Sequence, residues 1–183
     1  MRRNNVIVLS PVKRIAAIGI LSAVNISSRI VLQFLPNIKP VTALIILSVM
    51  LFGLTFGLEL TFVTTIVSGM FLGIGPWTIF QIFAWAIICL LTYGLVYLFN
   101  SRHRSPPLIF MAVFAAVMGY VFGFFVSFEK LVEGGLGLFI PYYLSGLLFD
   151  TYHAVGNFFF YLVCAPVLFR VFEKEIKKYR LML

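Results

Sequence analysis

Four ionisable side chains, Arg29, Glu59, Asp150 and His153, sit inside long apolar runs of the chain. A charge held in hydrocarbon is costly, and groups that persist there are candidates for binding, relay or pairing. Neutral polar residues accompany them: Gln33, Gln81 and Asn157. Spacing sorts these residues into groups. Tyr142, Tyr143, Gly146, Asp150, His153 and Asn157 recur at three- and four-residue steps, which is one face of a helix. Trp77, Gln81 and Trp85 follow at intervals of four, again one face over two turns. Arg29, Gln33, Asn37 and Lys39 cluster at the end of a third apolar run and in the segment after it. Together they describe a polar pocket with aromatic walls, the form that small-molecule sites take.

Each residue also has a plainer reading. Trp77 suits an aromatic belt at the membrane interface, and Arg29 suits a side chain snorkelling to head groups. Trp85 reads equally as pocket wall or helix packing. Asp150 and His153 read equally as a satisfied structural pair. Glu59, at the opposite end of its run, reads as meeting a partner or pairing internally. Two histidines, one of them (His103) in a loop, make no metal-ligand cluster, so no metal is expected. Cys89 and Cys164 fall in apolar runs without CxxC spacing and read as small buried residues.

The elements that must position these residues are membrane helices. Hydrophobic residues make up 62% of the 183 and charged ones 11%, with a mean hydropathy of +1.07, which leaves too little charge to cover a soluble domain. A span needs roughly 20 apolar residues. Six are expected: Ile15–Phe34, a short Val41–Leu54, Phe56–Leu72, Thr78–Phe99, Leu108–Phe128 and Leu138–Phe172, the last with an irregular start near Pro141. "EKLVEGGLG" (Glu129–Gly137) reads as a Gly-rich loop. The fold expected is thus an all-α integral membrane protein, one compact six-helix bundle over 1–183. Eleven Lys and Arg lie on one side of this arrangement and two, Lys39 and Lys130, on the other, with Arg29 inside a span. The excess puts both termini, 1–13 and 173–183, in the cytoplasm of a multi-pass plasma-membrane protein. The stretch "MRRNNVIVLSPVKR" is too short of apolar residues for a signal peptide. A net charge of +8 concentrated at span ends points to lipid head groups, not to nucleic acid.

No Walker motif, nucleophile elbow, HExxH or Gly-rich phosphate cradle occurs, and no internal repeat is visible. The chain therefore reads as a binder that needs another protein to do work, and not as an enzyme. Small residues recur at four-residue steps on the first span (Gly19, Ala23, Ser27) and on the fifth (Ala115, Gly119, Gly123), the pattern that lets a second helix approach closely.

At "RIAAIGILSAVNISSRIVLQFLPNIKPVTALIILSVMLFG" (Arg14–Gly53) and "GPWTIFQIFAW" (Gly75–Trp85), a bit over a quarter of the chain, the sequence resembles the substrate-binding S component of an energy-coupling factor (ECF) vitamin transporter. The resemblance implies six helices, cytoplasmic termini and a vitamin bound at the outer side. It implies work done with a transmembrane T component and two ATPases, so that ATP is used by partners and this chain carries no cofactor. The implied ligand contacts are Asn37, Lys39, Trp77, Gln81, Tyr142, Tyr143, Asp150 and His153. Residue patterning adds Arg29 and Trp85 to these. The family's AxxxA docking motif has its nearest match in Gly19 and Ala23, with Ala16 a turn earlier, and glycine stands for the leading alanine. The resemblance is greatest to the cobalamin type, while Arg29 and Lys39 also suit an anionic vitamin such as pantothenate or a folate. Two other classes compete. An intramembrane enzyme would use Asp150 and His153 and turn over alone. A small secondary transporter or channel would work without ATPases.

Overall fold

A computed structural model describes residues 6–102 and 106–172. All elements among them are helices: α1 (Pro11–Val31), α2 (Val41–Phe52), α3 (Leu54–Leu72), α4 (Pro76–Ser101), α5 (Leu108–Val126), α6 (Phe128–Gly134) and α7 (Leu136–Val171). Five segments are long and apolar enough to cross a membrane, α5 and α6 counting as one. The chain is thus a helical, multi-pass membrane bundle by length and composition. His103, Arg104 and the basic tail beyond Phe172 lie outside the described residues, as do Arg2 and Arg3.

Local sequence explains most boundaries. Pro11 follows Ser10 and opens α1, and Pro76 follows Gly75 and opens α4, because proline's missing N–H costs nothing in a first turn. Thr78 Oγ1 accepts the Gly75 N–H at 3.2 Å and closes the start of α4. Gly53 sits at φ 90° between α2 and α3, a conformation that glycine adopts without strain.

Two expectations need correction, and a third element is short, as expected. The second span is a helix of 12 residues, about 18 Å long, against a hydrocarbon core of about 30 Å. Eleven of its residues, all but Met50, are buried. It is the packed centre of the bundle, touching α1, α3, α4, α5 and α7. Its sequence is almost wholly apolar, which suits burial in protein or lipid, and Thr42 and Ser48 are its polar exceptions. The expected Gly-rich loop is largely helical: α6 occupies Phe128–Gly134 and only Gly135, at φ 66°, interrupts the path to α7. Lastly, α7 does not start irregularly at Pro141. It runs unbroken through Pro141 and Pro166 for 36 residues, about 54 Å.

The core is continuous and mainly aliphatic, from Leu21 through Ile45, Leu47, Leu60 and Ile88 to Met111 and Tyr161. At one end of the bundle Arg14, near the start of α1, pairs with Glu59 of α3 at 2.8 Å and bonds Thr55 Oγ1 at 3.2 Å. Glu59 is therefore paired internally. Arg29 marks the opposite end, in the last turn of α1, where a cation complements the helix dipole.

Candidate functional site

A cavity of about 400 Å³ opens at the Arg29 end. Four elements build it. The segment between α1 and α2 brings Asn37, and the second turn of α4 brings Gln81. The end of α5 supplies Phe122, Gly123 and Val126, with Ser127 following. One face of α7 supplies Tyr142, Ser145, Gly146, Phe149 and Asp150. Three rings, Phe122, Tyr142 and Phe149, share the wall with the polar side chains of Asn37, Gln81, Ser127, Ser145 and Asp150.

Asn37 is the hinge of the first wall. It takes φ 58°, a left-handed conformation that asparagine tolerates better than most residues. Its Nδ2 donates to the Phe149 carbonyl at 3.2 Å. Beside it, Ile38 packs against Gly156 of α7. The segment is thus laid across α7 and held there.

Among the described residues, Asp150 is the single charged one on the wall. The residue is 5% exposed, and no donor among the described residues reaches its carboxylate. The carboxylate lies over Gly123, where a Cβ would collide with it. On the α4 wall, Gln81 Oε1 accepts from Arg29 Nη2 at 3.0 Å. The guanidinium lies over the Trp85 ring, 5.3 Å from its centroid, and Arg29 Nη1 is buried without a partner. Trp85 packs on Phe122 with centroids 4.7 Å apart. Its Nε1 donates to Thr42 Oγ1 at 2.9 Å, and the same hydroxyl lies 3.0 Å from His153 Nε2. Burial and, next, the Arg29 charge pull the Lys39 ammonium below its ordinary pKa.

Of the residues that the sequence singled out, Asn37, Gln81, Tyr142 and Asp150 meet on the cavity wall. Arg29, Trp85 and His153 stand directly behind it. Arg29 touches Gln81, while Trp85 and His153 each pack on Phe122. Lys39 is half-buried and close enough to Arg29 for their charges to interact. Tyr143 belongs to an aromatic cluster with Phe124 and Phe139 beside the cavity. Trp77 is 42% exposed and folds its ring back over Gly75, away from the cavity. Asp150 and His153 are not a hydrogen-bonded pair: His153 turns to Thr42 while Asp150 turns to the cavity. Sequence reasoning passed over Phe122, Phe149 and Ser145. The two phenylalanines are hidden among 21, and only α5 and α7 docking marks them as walls.

The two stripes of small residues have different fates. Gly119 and Gly123 face α7, where a Cβ on Gly119 would meet the Ala154 backbone at 2.7 Å. Ala16, Gly19 and Ala23 are exposed on the outer face of α1, and a Cβ on Gly19 would meet nothing within 4 Å.

No known protein family, curated protein or solved structure matches this chain.

Proposed function

We propose that the chain is the substrate-binding membrane subunit of an ATP-driven importer of the ECF type. In this reading the Arg29 end faces outward, both termini are cytoplasmic, and the chain spans the plasma membrane with α2 as its sixth, short crossing. The cavity at the outer end holds a vitamin. A T component and two ATPases supply the coupling, docking on the face of α1 that carries Ala16, Gly19 and Ala23. The observation that carries the reading is the cavity, open at one end of a bundle without catalytic motifs and lined by a buried acid that the protein leaves unpaired.

Among the ligands that the resemblance admits, a corrinoid exceeds a space of about 400 Å³ and requires the walls to move apart. A smaller vitamin fits the cavity as it stands. The test is uptake into proteoliposomes, first of cyanocobalamin and then of a panel of small vitamins. The expected result is accumulation only when a T component, two ATPases and ATP are present. Accumulation by the chain alone would overturn the reading in favour of a secondary transporter, and chemical turnover of the ligand would favour an enzyme.

A further inference from the structure

We infer that the ligand presents a neutral amide edge, an N–H beside a C=O as in a lactam or carboxamide, to Asp150 and Gln81. The inference rests on reading the cavity as the substrate site and names the chemistry that this site recognises.

Asp150 needs donors. Its carboxylate lines the cavity and receives no hydrogen bond or ion pair from the described residues. Its donors therefore come from what fills the cavity. Gly123 leaves the space that lets the carboxylate lie at the wall.

Gln81 needs an acceptor. Its Oε1 is taken by Arg29. Its two amide N–H groups remain, on a residue that lines the same cavity. On a wall that also carries Asn37, Ser127, Tyr142 and Ser145, the Asp150 acceptor and the Gln81 donor complement the two groups of an amide. The rings of Phe122, Phe149 and Tyr142 supply flat apolar surface for the body that carries it.

The surrounding charges argue for neutrality. Arg29 stands behind the wall with Lys39 close to it, and neither has a carboxylate within ion-pairing distance among the described residues. Two uncompensated cations oppose a cationic ligand, and Asp150 itself opposes an anionic one. A neutral ligand with a polarised N–H edge meets neither penalty.

The experiment measures binding to the purified full-length protein by calorimetry. The probes are riboflavin, whose ring carries a lactam N–H, N3-methylriboflavin, in which that N–H is blocked, and cyanocobalamin, which carries carboxamides. Thiamine is the cationic probe and pantothenate the anionic one. The expected result is that riboflavin or cyanocobalamin binds most tightly. Which of the two binds separates a lactam from a carboxamide source. If it is riboflavin, methylation weakens binding by about 10-fold or more, the value of a hydrogen bond to a charged group. Asp150→Asn weakens either ligand to a similar degree. The methylated probe works on the unaltered protein, so that comparison stands even where Asp150→Asn fails to fold.

Tightest binding by thiamine or pantothenate would overturn the inference. So would binding indifferent to both the methyl group and Asp150→Asn. Gly146→Phe separates this failure from failure of the site itself. Gly146 lines the cavity and a Cβ there meets nothing within 4 Å, so the ring fills the space without a clash at its root. A ligand lost in Gly146→Phe but indifferent to Asp150→Asn refutes the amide edge and leaves the cavity as the site. Absence of binding by every probe to folded protein overturns both.

Discussion

On paper, the small-residue faces of α1 and α5 are the same motif. Gly19 and Ala23 repeat at four-residue steps, as do Ala115, Gly119 and Gly123. In the bundle the α5 face is pressed against α7 so closely that the Ala154 backbone fills the space a side chain would need. On the α1 face, a Cβ on Gly19 would meet nothing within 4 Å among the described residues. A small residue permits close approach without saying what approaches. One face is spent within the fold, and the other remains available to a second protein or to lipid.

The largest effect that tests this contrast is expected at the closed face. Gly119→Leu puts a branched side chain into the α7 backbone and should cost about 3 kcal/mol or more, read as a fall in the thermal midpoint in detergent. A midpoint within a degree of the unaltered protein would mean that α5 and α7 are not locked together. Next comes Gly123→Ala, where the methyl group displaces the Asp150 carboxylate. About 1–2 kcal/mol of stability should go, together with most ligand binding, and retained affinity would separate Asp150 from the site.

Smaller effects belong to the open face and the Arg14 end. Glu59→Gln removes a half-exposed ion pair to Arg14, with side chains 47% and 33% accessible, and should cost less than about 1 kcal/mol by chemical denaturation. A larger loss would show that the pair ties α1 to α3. Gly19→Leu should change the midpoint by no more than about 0.5 kcal/mol equivalent, because its side chain enters open space. If the proposed importer role holds, it should nevertheless abolish ATP-driven uptake while leaving ligand binding intact. Full uptake by this variant would move the docking face elsewhere.

Part of the cavity lining was legible before the fold. The stripe on α7 follows from helical periodicity alone, and Tyr142 and Asp150 on it do reach the cavity. His153 shares that stripe and does not reach it, because α2 sets Thr42 against it instead. Trp77 and Gln81 are one turn apart on α4, yet only Gln81 faces inward. The ring of Trp77 turns back over the Gly75 backbone, a rotamer that no spacing rule announces. The lining from Phe122 and Phe149 was invisible for a different reason, since one phenylalanine among many carries no sign of which neighbour will cover it.

What the sequence determined by itself is the solvent and the alphabet of elements. Scarce charge and long apolar runs dictate helices in a membrane, since only internally hydrogen-bonded backbone survives there. Its polar exceptions, Glu59 apart, gather towards one end of the bundle. Only the tertiary structure decided that a 12-residue apolar helix sits at the centre, that proline does not break α7, and which of two equal stripes is closed. The physical reason is common to all three. Burial, helix contact and side-chain direction depend on neighbours distant in sequence, and local pattern states only what each segment can accept.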